Sequence, residues 1–282
     1  MKSPKPIFLQ ALFPKLDNLL IELLQSLKPQ DWAQTTIAGN WTVQDVAAHL
    51  LDGNLRSLSI LRDNFQGDPP KKINGYPDLV QYLNGLNAVW VNAFKRVSPR
   101  VLIELLVASG PQYHAYLASL DPFATAKFSV SWAGEEESKN WFHIAREYTE
   151  KWHHQMQIRQ AIGQETPLLQ SALYYPYLDT SIRALPHQYR KVKPANGSIV
   201  KVVFTGLPDL EANWSLQFDP EGWKLYTGLQ NTPSNCEVHI PAKIAWRIFT
   251  KGISKAEAIA QSKIIGDQSL GHPLFDLIAV MA

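Results

Sequence analysis

The segment "REYTEKWHHQMQIRQ", residues 146–160, carries two adjacent histidines and two glutamates within what its spacing predicts as one helix. Imidazole nitrogens and carboxylate oxygens are donors that a divalent cation such as zinc accepts. Each helical residue advances about 100°, so with His143 as origin Glu147, Glu150, His154 and Gln157 fall within about 40° of one line. Trp141, Ala145, Tyr148, Trp152 and Met156 take roughly the opposite side, and His153 stands apart from both. A polar stripe opposite an aromatic one is also what an ordinary amphipathic surface helix shows. The i, i+4 spacing of Glu150 and His154 adds a chemical reading, because it lets two side chains converge on one ion.

A second segment, "WTVQDVAAHLLDGN", offers a partner. His49 lies between the polar stripe of Asp45, Asp52 and Arg56 and the apolar face of Val46, Leu50 and Leu58. A histidine on that edge can point into a groove between helices; taken alone, it reads equally well as a hydrogen-bonded rim residue. Metal sites in helical bundles are built from facing helices. Three protein ligands would leave one position open for water or substrate, the usual arrangement of a catalytic zinc.

The totals bound what these residues can belong to. At 282 residues, two domains are expected. With 45% hydrophobic residues, 18% charged and nine tryptophans, the chain can build a substantial core. A net charge of +2 argues against a nucleic-acid binder, and the short basic run "YRKVKP" reads as a linker. Cys236 is the only cysteine, so an internal disulfide, a zinc ribbon and a redox dithiol are all excluded. Any metal must then be held by nitrogen and oxygen. Pro14, Lys15 and Asp17 interrupt the apolar N-terminal patch and no small-residue cleavage site follows, so no signal peptide is expected. No apolar run approaches a membrane span, and a cytoplasmic protein is expected.

The elements that must position the donors are predicted as follows. Leucines at 16, 19, 20, 23, 24 and 27 mark a first helix. Thr42 and Asp45 form a capping-box-like start for the helix holding His49. A third helix runs from about Asp78 to Arg96, and Ser98 and Pro99 start a fourth, which Gly110 and Pro111 bend. "AKFSVSWAG" reads as a strand. The helix of the opening segment spans roughly Glu136 to Ile162 and stops at Gly163. "LLQSALYYPYLDTSIRALPHQY" adds another helix before the linker. Beyond about 190–196 the pattern turns to short β-rich runs, "SIVKVVFTG", "NWSLQFD", "GWKLYTG" and "CEVHIPA". These precede the helices "KIAWRIFTKG" and "SKAEAIAQS", the strand-like "KII" and a helical "DQSLGHPLFDLIAVMA". The reading is a helical bundle followed by a smaller α+β domain.

"NWTVQDVAAHL", followed about a hundred residues later by "EKWHHQMQIRQAIG", resembles the DinB-like metalloenzyme superfamily and, more narrowly, the mycothiol-dependent maleylpyruvate isomerase family. Both the W-[ST]-V-x-D-V-x-x-H-L and the E-x-W-x-H-x-x-x-I-R signatures are present. The resemblance implies a DinB-like four-helix bundle over 1–165, a helical connector over 166–195 and a sterol-carrier-like α+β domain over 196–282. It also implies a divalent metal, zinc or alternatively nickel, on His49, Glu150 and His154, the set the helical wheel selects. Two departures are Gln157, where relatives commonly carry an acidic residue, and His153, where a small apolar residue is frequent.

The chemistry so implied uses a low-molecular-weight thiol (mycothiol, bacillithiol or glutathione) deprotonated at the metal, acting on a small unsaturated acid as isomerase or S-transferase. Water in place of the thiol would give a hydrolase. A non-catalytic small-molecule or lipid binder with a structural metal, and a metal-free scaffold, are the readings from other classes. Substrate carboxylates would call for an arginine, and Arg56, Arg159 and Arg247 are the candidates. Cys236 lies outside both motifs and reads as a small core residue rather than a nucleophile.

Overall fold

The computed structural model describes residues 2–67, 69–70, 72–206, 212–227 and 233–280. Its contacts group into two compact units that do not follow chain order. One holds Phe8–Lys127 and Glu150–Leu168; the other holds Met1–Ile7, Phe128–Thr149 and Leu169–Val280.

The first unit is helical. It contains α1 (Phe13–Ser26), α2 (Val43–Ser57), α3 (Tyr76–Phe94), α4 (Pro99–Ser119) and the part of α5 (Asn140–Ala161) from Glu150 onward. The leucine spacing of α1 buries Leu16, Leu20, Leu23 and Leu24. Of these, Leu20, Leu23 and Leu24 share a core with Val46, Leu50 and Leu51 of α2, Leu102 and Leu106 of α4, and Ile158 of α5. Thr42 and Asp45 start α2 with a reciprocal box: the Asp45 N–H donates to Thr42 Oγ1 at 3.3 Å, and the Thr42 N–H donates to Asp45 Oδ2 at 2.9 Å. Trp90 Nε1 donates to the Ala48 carbonyl at 2.8 Å, fixing α3 against the turn before His49.

Helix α4 runs unbroken through Gly110 and Pro111. Gly110 is needed there, since a Cβ would lie 2.5 Å from Asp17 Oδ2 of α1. The Asp17 carboxylate meets His114 Nε2 at 2.8 Å and Lys151 Nζ at 3.2 Å, joining α1, α4 and α5 through one largely enclosed polar cluster. Burial raises the Asp17 pKa, but Lys151 and His114 more than offset it, leaving the carboxyl below its ordinary value.

The second unit carries a mixed five-stranded sheet. Its strands β1 (Ile199–Thr205), β2 (Ala212–Asp219), β3 (Gly222–Thr227), β4 (Cys236–Pro241) and β5 (Lys263–Gly266) stand in the order β3-β2-β1-β4-β5. Only β1 and β4 pair in parallel, with Val202 opposite Val238. Helices α6 (Ser171–Ile182), α7 (Leu185–Gln188), α8 (Ala242–Phe249), α9 (Lys255–Ala260) and α10 (Gln268–Gly271) belong to the same unit. Trp214 Nε1 donates to Asp179 Oδ1 at 3.1 Å, and the Tyr189 hydroxyl donates to the Leu270 carbonyl at 2.8 Å. Cys236 is 1% exposed and burial pushes its thiol up to about 11, in keeping with a core residue. Among the described residues no helix is long and apolar enough to cross a membrane.

Three expectations are corrected here. "AKFSVSWAG" forms no strand: buried Val130 and Trp132 anchor a short 3₁₀ turn, Ser131–Ala133, and Gly134 leaves it at φ 83°. The C-terminal helix ends at Gly271, where Pro273 follows in a 3₁₀ turn (His272–Asp276). Helix α5 begins at Asn140, after the acidic run, rather than near Glu136.

Thr42→Ala removes the side-chain acceptor of the α2 cap and should cost about 1 kcal/mol in chemical denaturation. An unchanged midpoint would show that the cap contributes nothing to holding α2.

Candidate metal centre

A surface helix with a wet polar stripe would leave one side of α5 open to solvent. Helix α5 does not. Its aromatic side is sealed, with Ala145, Tyr148, Trp152 and Met156 each at 0% exposure, and on the polar side His143 is 2% and Gln157 6% exposed. Lys151, His153, Gln155 and Arg159 are buried too. Polar groups withdrawn from water in this way must find partners or lose several kcal/mol of hydration.

Within the sheet-bearing unit, Arg146 supplies such partners. Its Nη2 donates to His143 Nδ1 at 2.9 Å and to Glu147 Oε1 at 2.6 Å. Burial, with the neighbouring Arg146 charge, brings the His143 pKa down to about 4. His143 is therefore a neutral imidazole at pH 7.

Within the helical unit, α5 brings two of the three sequence-selected donors, Glu150 and His154, together with His153, and the His49 ring of α2 packs beside them without joining that donor cluster. Glu150 Oε2 lies 3.6 Å from His154 Nε2 and 3.9 Å from His153 Nδ1. Glu150, His153 and His154 each offer a donor atom within 4.8 Å of the others. Tetrahedral coordination with bonds of ~2.0–2.1 Å sets donors roughly 3.3 Å apart, so small side-chain adjustments would close the set on one ion. His154 Nδ1 lies 2.9 Å from Gln157 Oε1. An amide oxygen only accepts, so with the amide so oriented Nδ1 carries a proton, and Nε2, on the Glu150 side, is the ring nitrogen left for ligation.

His49 reaches in from α2. Its ring centroid is 4.6 Å from that of His154, at 77° to it, and 5.1 Å from the ring of Trp41. Its Nδ1 is buried with no hydrogen-bond partner among the described residues. Burial first, then His154, Arg56 and His153, hold its pKa well below the ordinary value. That keeps the imidazole neutral, the form that binds metal.

The three arginine candidates have different surroundings. Arg56 follows His49 by two turns of α2; its Nη2 bonds Asp52 Oδ2 at 2.9 Å and Asn87 Oδ1 at 3.2 Å. Its Nη1 is buried without a partner among the described residues. Arg159 is 3% exposed and donates to the carbonyls of Leu19 and Gln164, so it ties α5 to α1 and to its own C-terminal turn. Arg247 belongs to the sheet-bearing unit, where its Nε donates to the Gly252 carbonyl and closes the end of α8.

One residue escapes the helical wheel. The wheel sets His153 aside, yet its ring centroid lies 3.9 Å from that of His154. Neighbouring imidazoles are long enough to lean together across the 100° that separates their Cα directions. The only sequence signal for this is the histidine doublet itself.

Residues 13–159 match the family model described as the mycothiol maleylpyruvate isomerase N-terminal domain. Among solved structures, the chain is similar to mycothiol-dependent maleylpyruvate isomerase at 11% identity and a TM-score of 0.50, over 88% of this chain and 91% of that one. A histidine-to-alanine mutant of mycothiol-dependent maleylpyruvate isomerase matches at 10% identity and a TM-score of 0.49 over the same shares. Identities this low speak for the fold alone. No curated protein sequence matches.

The depressed His143 pKa has a signed consequence. The native pKa is about 4 against an ordinary 6.5, so the unfolded chain takes up a proton that the native state refuses between those values. The associated stability is fully present above pH 6.5 and falls, by on the order of 3 kcal/mol, as pH drops toward 4. His143→Gln should flatten that part of the stability–pH curve in chemical denaturation. Identical slopes in both proteins would contradict a buried neutral imidazole at this position.

Proposed function

Because the chain belongs to the mycothiol maleylpyruvate isomerase N-terminal domain family, we propose that it is a divalent-metal-dependent enzyme using a low-molecular-weight thiol. In this reading it isomerises a small unsaturated acid, or transfers the thiol to an electrophile. The observation that carries the reading is the approach of Glu150 and His154 donors to 3.6 Å, with the His49 ring 4.6 Å from that of His154 and its buried Nδ1 without a hydrogen-bond partner among the described residues.

His49, Glu150 and His154 would hold the cation. The carboxylate of Glu150 would offset part of its charge, and the two imidazoles would complete a nitrogen and oxygen set suited to zinc and also to nickel. Gln157 keeps His154 in the tautomer and orientation that ligation needs. Together, bound cation and thiol supply a thiolate nucleophile near neutral pH, which adds to and leaves an activated double bond so that a cis bond returns as trans. Arg56, steadied by Asp52 and Asn87, has its Nη1 available for a substrate carboxylate. Cys236, sealed and with its thiol pushed up to about 11, takes no part, so the sulfur must come from a diffusible thiol. The finer assignments follow the same reading: a DinB-like four-helix bundle, a sterol-carrier-like sheet domain, and a reducing cytoplasm that keeps the thiol reduced.

Zinc-loaded protein assayed with maleylpyruvate and mycothiol tests this directly. Turnover should need both metal and thiol. His154→Ala should bind less than about 0.2 metal per chain and lose turnover by roughly a hundredfold or more, while keeping most of its melting temperature. Undiminished turnover in that variant, or wild-type protein that takes up no zinc, would refute the reading. Turnover that ignores the thiol would point to hydrolysis instead.

A further inference from the structure

We propose that His153 is a fourth protein donor to the same cation, filling the position that a three-ligand site leaves open. This rests on the metal-site reading above and extends it. His153 is 4% exposed, yet its Nδ1 faces the Glu150 carboxylate at 3.9 Å and its ring lies 3.9 Å from that of His154. Its donor atom meets the same 4.8 Å separation as those of Glu150 and His154. A buried imidazole placed for packing alone would be expected among apolar groups. This one shares a carboxylate oxygen with a second imidazole, which is how donors to one ion are arranged.

The consequence concerns access. Three imidazoles and one carboxylate would make four protein donors, the usual number for zinc. With all four in place, an incoming thiol would have to compete with one of them. Of the four, His154 is fixed by Gln157, and Glu150 carries the compensating charge. His153 lies outside the three-residue set of the proposed function, so its release would leave that set intact, and it would act as the internal competitor that a thiol replaces. Apparent thiol affinity is lowered by the fraction of sites in which His153 is bound.

Cadmium-113 NMR of protein labelled with nitrogen-15 at histidine counts the ligating imidazoles without relying on turnover. Wild-type protein loaded with cadmium should show three one-bond nitrogen–cadmium couplings. His153→Gln should show two, and 2-mercaptoethanol added to wild type should remove only the coupling that this substitution removes. In His153→Gln the same thiol should bind at least tenfold more tightly. Two couplings in wild type, both surviving the substitution, would overturn the fourth donor and leave the three-ligand reading standing. Three couplings that all persist when the thiol binds would overturn its role as competitor. Failure of wild type to bind cadmium would overturn both readings at once. The count on wild type needs no variant, so a misfolded His153→Gln would not blunt it.

Discussion

Desolvation of one helix governs the structure. Helix α5 carries three histidines, two glutamates, a lysine and two arginines; half of them are buried and the rest only partly exposed. Charged and polar groups so placed must be paired, or must lose their charge. Each solution is present. Lys151 meets Asp17, Arg159 meets two backbone carbonyls, and His143 stays neutral beside Arg146. The glutamate and the two histidines at 150, 153 and 154 lie close to one another, and His49 adds a buried Nδ1 with no hydrogen-bond partner among the described residues. A cation is the natural complement to that remainder.

The same constraint explains why the supporting residues are so specific. Gly110 exists to let Asp17 approach α4, and the Asp17–Lys151 pair then fixes the turn of α5 next to Glu150. The Thr42–Asp45 box sets where α2 begins and hence where His49 falls, seven residues on from the cap. Trp90 satisfies the carbonyl of Ala48, so the backbone preceding His49 is held from a third helix. Donors borne on helices held this firmly lose little freedom when an ion binds.

What was legible in the sequence follows from periodicity. The leucines of α1, the cap of α2 and the alternation of β1 and β4 state their structures in local patterns, and they fold as read. Glu150 and His154 were read from i, i+4 spacing, which sets them 3.6 Å apart, and His49 from an edge position, which puts its ring 4.6 Å from that of His154. The rest depends on tertiary surroundings. Nothing local in "AKFSVSWAG" says that Val130 and Trp132 anchor a turn rather than a strand. A helical wheel places Cα directions and not ring tips, so it set His153 apart. Arginine partners are not encoded nearby either: Arg159 bonds to Leu19, far away in the chain. Nor does chain order reveal that α5 contributes Asn140–Thr149 to one compact unit and its remainder to the other.

The central claim is that imidazole and carboxylate donors from α2 and α5 share one cation. Zinc-edge X-ray absorption on zinc-loaded, thiol-free protein measures that shell most directly. The account predicts nitrogen and oxygen only, at about 2.0–2.1 Å, with outer-shell scattering from at least two imidazole rings, and one sulfur at about 2.3 Å once mycothiol is added. A sulfur in the thiol-free shell, or an absence of imidazole scattering, would place the metal elsewhere and contradict it.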